Sequence, residues 1–215
     1  TLDDIRMVLR AGADKVSLNT AAIARPEIIT EAAHKFGSST IVVSIEAIKK
    51  DDGSYEAFTD NGRESTGVDA LEWAVRAAEL GAGELLVTSI AQEGTGKGFD
   101  LELTRRISES VPIPVIACGG AGKIGHVFDA VVDGKTDAVC LASILHYKTI
   151  ERKESSSGVS GDYATEGNVD FLNSGRGFSK IQGATLPELK EHLLTHSICC
   201  RPVSRQPISG EAALD

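Results

Sequence analysis

Aromatic side chains are scarce in this chain: Phe, Trp and Tyr together make up 5% of its 215 residues, with one Trp and one Met. Its core must therefore be aliphatic, of the kind that fills barrels with Val, Ile, Leu and Ala. Hydrophobic residues still reach 41%, enough for one domain or a large part of one. Cationic excess is missing too. The formal net charge of −9 argues against nucleic acid or an anionic membrane surface as partner. An anionic substrate would need locally placed donors instead. No apolar run approaches membrane-spanning length, and no signal-peptide pattern occurs. Cysteine is limited to Cys118, Cys140, Cys199 and Cys200, without metal-ligand spacing. That usage predicts a reducing, cytoplasmic compartment, with Cys118 and Cys140 as small core residues.

Glycine, by contrast, is concentrated where it can matter. Ile113-Pro114-Val115-Ile116-Ala117-Cys118 reads as a buried parallel strand, and Gly119-Gly120-Ala121-Gly122-Lys123 follows it. A helical pattern starts after Lys123. Strand, glycine loop and helix start together make a phosphate site, because free N–H groups and the helix dipole both favour an anion. A tight βα turn that binds nothing fits the same residues equally well.

The rest of the chain alternates strand and helix patterns. Helices are predicted over 1–10, 26–35, 68–80, 101–110, 124–132 and 186–194. Strands are predicted over 15–20, 40–48, 84–90, 113–118 and 137–144, with a polar hairpin or loop over 51–63. Five βα units imply a parallel sheet. Their polar residues gather at the strand C-termini (Asn19-Thr20, Glu46, Thr88-Ser89, Gly119-Gly120, Ser143), which is the catalytic face of a TIM barrel. Residues 151–183 are rich in Ser, Gly and charge and are expected to be a surface lid or an unstructured insertion. A single barrel domain over 1–202 and a polar tail over 203–215 complete the expected organisation.

An internal repeat underlies this pattern. With 124–143 set under 1–20, Asp137 falls on Asp14, Val139 on Val16, Leu141 on Leu18 and Ser143 on Thr20. Two similar halves would each carry a phosphate site. The chain opens on Thr1 rather than Met, and the repeat needs a glycine loop before it. The expectation is therefore an N-terminally truncated (βα)8 TIM barrel, with about five of eight βα units present.

Four strings in order carry a specific resemblance: Gly12-Ala13-Asp14-Lys15-Val16-Ser17-Leu18-Asn19-Thr20-Ala21-Ala22, Gly81-Ala82-Gly83-Glu84-Leu85-Leu86, Ala117-Cys118-Gly119-Gly120-Ala121-Gly122-Lys123 and Ala142-Ser143-Ile144-Leu145-His146-Tyr147. Together they resemble the cyclase subunit of imidazole glycerol phosphate synthase, the HisF family of histidine biosynthesis. The resemblance spans Thr1 to about Tyr147 and resumes from about Leu186 to Arg201. It implies a phosphate-binding (βα)8 barrel with no cofactor and no metal. The implied substrate is phosphoribulosyl-formimino-AICAR ribonucleotide, with a phosphate at each end. Ammonia from a glutaminase partner would convert it to imidazole glycerol phosphate and AICAR ribonucleotide.

Residue by residue, the resemblance implies one phosphate site at Asn19 and Thr20. It implies a second at Gly94, Gly119, Gly120, Ala142 and Ser143. The catalytic carboxylate at the end of the fifth barrel strand would be Glu46, where the family has aspartate. The added methylene moves the carboxylate by about 1 Å, and a shift of that size can cost ~100-fold in rate. Glu93 stands for a functional aspartate in the altered loop Ala91-Gln92-Glu93-Gly94-Thr95, where Ala91 replaces a further carboxylate. Lys15 and Glu84 correspond to charged residues around the ammonia entrance, and a structural salt bridge is the equal alternative. Asp14 corresponds to the glutaminase interface. His146 is expected to cap or pack in the core, not to catalyse. The resemblance also allows a paralogue that delivers ammonia in acetamidino-sugar synthesis, or an inactive fragment that only binds a partner. Without the first-strand aspartate of the family, these residues alone are expected not to turn over substrate.

Overall fold

The computed structural model describes residues 1–155 and 181–203. Helix α1 (Leu2–Arg10) begins at a capping box, in which the Thr1 hydroxyl accepts from the Asp4 N–H and the Asp4 side chain accepts from the Thr1 backbone. Strand β1 (Val16–Leu18), the short α2 (Thr20–Ala24) and α3 (Glu27–Phe36) follow. Next come β2 (Ile41–Lys49), β3 (Tyr55–Thr59) and β4 (Glu64–Asp69), which form an antiparallel meander. Helix α4 (Ala70–Glu79), β5 (Glu84–Ser89), α5 (Leu101–Ser110), β6 (Val115–Cys118), α6 (Ile124–Val132) and β7 (Ala138–Cys140) then alternate. Helix α7 (Ser143–Ser155) and, after the undescribed residues, α8 (Leu186–Thr195) complete the order.

All seven strands form one sheet. The five strands β1, β2, β5, β6 and β7 are mutually parallel in spatial order, as the βα alternation predicts. Strand β1 pairs with the first residues of β2, and β3 pairs with its last four on the same side. Among the described residues the sheet is open: β1 and β7 are not paired with each other.

Side-chain alternation divides the sheet into two faces. Ile41, Val43, Ile45, Leu85, Val87 and Val115 turn to one side and are fully buried. They pack with Ile28 and Ile29 of α3, Trp73 and Ala77 of α4, and Leu103 and Ile107 of α5. The opposite face carries a row in continuous register: Glu46 beside Thr88, Thr88 beside Cys118, Cys118 beside Cys140.

Several boundaries differ from the sequence expectation. The hairpin expected over 51–63 is present, with Tyr55–Thr59 as β3 between tight turns at Asp52-Gly53 and at 60–63, but its second strand lies beyond the expected bounds, at Glu64–Asp69. Helix α4 starts at Ala70, not Val68, because the Asp69 carboxylate accepts from the Leu71 and Glu72 N–H groups and fixes the start there. Strand β7 ends at Cys140, and Ser143-Ile144 open a helix instead. That helix runs through Ser155; residues 156–180 of the expected 151–183 insertion lie outside the described residues. Of the expected tail, 204–215 lie outside as well. Among the described residues no helix is long and apolar enough to cross a membrane. Thr20 and Ser143, set against each other in the expected repeat, are each the first residue of the helix that follows a strand.

Candidate active site

The loops after β5, β6 and β7 meet at the C-terminal edge of the sheet. Glu93, Gly94, Gly119, Gly120, Ala142 and Ser143 wall one cavity there of about 90 Å³, together with Cys118, Cys140 and Ile181. Chain economy explains the closeness. Gly120 has φ +100°, and its carbonyl accepts from the Gly98 N–H at 2.8 Å. A Cβ at Gly120 would lie 2.1 Å from the Gly98 carbonyl oxygen, and one at Gly122 equally close to that of Gly96. The two loops therefore interlock backbone against backbone, which only glycine permits.

Helix α7 starts in the cavity wall. The first N–H groups of a helix have no intrahelical acceptor, and the dipole puts partial positive charge there. The same holds for α6, whose N-cap residue Lys123 makes no side-chain capping bond. The Gly122 N–H is already used: it donates to His126 Nδ1 at 3.0 Å. That bond needs a neutral ring, and burial, then Lys123, hold the His126 pKa below its ordinary value. Chain from beyond the undescribed residues returns here, where the Gln182 N–H donates to the Gly122 carbonyl at 2.7 Å.

Glu46 lies on the face of β2 turned away from the helices, half-buried. Its Oε2 is buried and makes no hydrogen bond among the described residues. The β3–β4 turn closes over it: a Cβ at Gly62 would come within 3.6 Å of that oxygen. Asn19 and Thr20 follow β1, on the same edge of the sheet but outside the cavity. Asn19 Oδ1 is buried without a hydrogen-bond partner among the described residues, and its side chain makes no capping bond to α2. Thr20 Oγ1 accepts from the Asp60 N–H at 3.2 Å, tying the hairpin turn to this loop.

At the opposite edge Lys15 Nζ and Glu84 Oε1 pair at 2.9 Å across the start of β2, and Lys15 also donates to the Ser39 carbonyl at 2.6 Å. Asp14 is exposed beside them, and Ala91 is exposed at the other edge. Two expectations are corrected. Cys140 is exposed rather than core, because β7 is an edge strand, and Cys118 is only half-buried. His146 is exposed too, edge-on to Tyr147 with ring centroids 5.5 Å apart.

The sequence reading missed two parts of this arrangement. One is His126, whose spacing of four from Gly122 was the available signal. The other is Tyr55, buried at 1% exposure, whose hydroxyl donates to Asp100 Oδ1 at 3.0 Å and fastens the hairpin to α5. No group of three or more His, Cys, Asp or Glu residues is placed to hold a metal among the described residues. A sequence profile described as "Histidine biosynthesis protein" matches residues 1–151.

Proposed function

The chain belongs to the histidine biosynthesis protein family, whose fold is of TIM-barrel type, and from that premise we propose that it is the cyclase subunit of imidazole glycerol phosphate synthase. The family takes in HisA as well as HisF sequences; the four strings quoted above favour the second. On this reading the five parallel strands are the later strands of a barrel, and their inner face is the barrel interior.

The observation that carries the reading is the shared cavity of Gly94, Gly119, Gly120, Ala142 and Ser143, beside a helix N-terminus. Backbone donors and a helix start suit one phosphate of a bisphosphorylated substrate. Asn19, with its orphan Oδ1, and Thr20 would receive the other at the far side of the same edge. Glu46 stands between them on the sheet, with a buried oxygen free to take or give a proton during ring closure. Glu93 would assist from the loop. The Lys15–Glu84 pair sits at the strand N-termini, where ammonia from a glutaminase subunit docked near Asp14 would enter.

The test is ammonium-dependent consumption of the bisphosphorylated ribonucleotide by the full-length gene product, with growth of a histidine auxotroph as the cellular readout. Turnover with rescue supports the cyclase. Glu46 in place of aspartate and Ala91 in the altered loop favour a second reading, the acetamidino-sugar paralogue; turnover of a sugar acceptor without rescue would establish that one. Glutaminase binding without any bisphosphate binding would leave only a partner-binding role.

A further inference from the structure

Two nucleophilic side chains in the inner-face row take no part in the reading above. Cys118 ends β6 and Cys140 ends β7, and the two are direct register partners on adjacent parallel strands. Register partners in a parallel pair point to the same face. Adjacent strands lie about 4.8 Å apart, inside the Cα separation of about 4.4–6.8 Å that a disulfide accepts. Both thiols wall the one cavity of about 90 Å³, and Cys140 is exposed to solvent.

We propose that Cys118 and Cys140 are a dithiol that closes reversibly to a disulfide by exchange with a small dissolved disulfide such as oxidised glutathione. Cys140, the accessible one, attacks first. Its thiolate displaces one glutathione, which leaves with the proton Cys140 gave up, and a mixed disulfide remains. The Cys118 thiolate then attacks the Cys140 sulfur, and the second glutathione leaves with the proton from Cys118. Two protein thiols lose two electrons and two protons, and one small disulfide becomes two thiols.

The geometry makes this bond a switch and not a staple. In a parallel pair the Cα–Cβ bonds run side by side, so the Cβ atoms stay near the strand spacing instead of the roughly 3.8 Å a relaxed disulfide prefers. A bond closed under that strain is readily reduced. Burial pushes the Cys118 thiol up to about 11; Thr88 opposes the rise, while Cys140 on β7 and Glu93 in the loop after β5 add to it. A smaller thiolate fraction at Cys118 leaves the first attack to the accessible Cys140. The bond joins the residues immediately before Gly119 and Leu141, so it acts on two walls of the cavity at once. None of this depends on the cyclase reading.

The experiment treats the full chain with graded ratios of oxidised to reduced glutathione, quenches with acid and alkylates. Trypsin cuts after Arg106, Lys123, Lys135 and Lys148, placing the two cysteines in peptides 107–123 and 136–148. The expected product is these two peptides joined, lighter by two hydrogens than their sum, and released by dithiothreitol. Cys199→Ser/Cys200→Ser should form the same link. Cys118→Ser should stop at glutathione on Cys140. Separate glutathione adducts on Cys118 and Cys140 without a joined peptide at any ratio, or a link through Cys199 or Cys200, would overturn the proposal.

Discussion

Glu46 holds a carboxylate oxygen out of water with no hydrogen-bond partner among the described residues, an arrangement that costs stability. Glu46→Gln removes the proton-transfer group while keeping the shape. In the full-length gene product turnover should drop ~10²–10⁴-fold, phosphate binding should hold, and the denaturation midpoint should stay or rise. An unchanged kcat would remove Glu46 from the chemistry. At His126 the prediction concerns acid. Its folded pKa lies below the unfolded value, so at low pH the unfolded chain binds more protons than the folded one. Its stabilising contribution is therefore complete above about 6.5 and drains as pH falls through the folded value. A histidine NMR titration should place His126 below the reference value, and the Gly122 amide should lose exchange protection over the same range. If the amide stays protected with the ring protonated, the bond to Nδ1 is not what holds the loop. These single-residue roles differed in how well the sequence revealed them. Gly119 and Gly120 were legible because glycine spacing is itself the signal. The exposure of Cys140 was not, because an apolar strand pattern looks the same at an edge as in the middle of a sheet.

The elements show the same contrast. Helix α6 is legible from its repeating apolar face, and the structure has it over the expected residues, Ile124–Val132. The β3–β4 hairpin is legible only in part: its turns are, but its second strand is not. Tyr55 and Ala57 keep a period of two in β3, but β4 begins Glu64-Ser65 and has no buried residue, so its strand pattern is faint. Beside its pairing with β2 and the Asp60–Thr20 bond, the hairpin is anchored to α5 by a contact from Tyr55 to Asp100, at a separation of 45 residues. Asp100 also caps α5 by accepting from the Leu103 N–H at 3.0 Å. Tyr55→Phe keeps the ring and the cap but deletes the bond to the carboxylate, for a loss of about 1.5–3 kcal/mol in denaturant unfolding. Burial, then the Asp100 charge, push the phenol above its ordinary value. The folded chain thus keeps this proton after the unfolded chain has lost it. The contribution is whole below the unfolded value of 10.0 and shrinks as pH climbs beyond it. Tyr55→Phe should flatten that alkaline loss; identical alkaline profiles for the two proteins would mean the bond contributes nothing.

At the scale of the molecule, alternation of strands and helices made the parallel order legible, but not the inner-face row. Glu46, Thr88, Cys118 and Cys140 are 22 to 42 positions apart in sequence and become neighbours only through register, which no local pattern encodes. Charge is the other global property. With −9 overall and the exposed Glu93 in the cavity wall, the far field repels an incoming phosphate. The near contacts are of another kind, backbone N–H groups and helix ends, which are dipoles that salt screens little. Ions of the solvent cancel the repulsion beyond about 10 Å and leave those contacts in place. Raising salt from about 10 to about 150 mM should therefore speed association of inorganic phosphate a few-fold and leave its dissociation rate nearly constant. A protein that held phosphate chiefly by ion pairs would show the reverse. The candidates for that role are Lys97 and Lys123, exposed around Gly122 on the other side of the glycine loop. Repeating the salt titration on Lys123→Gln decides between the two: the rise with salt should persist in the variant, whereas an affinity that falls with salt in the native chain, and stops falling in the variant, would assign the anion to the lysine and not to the glycine cradle.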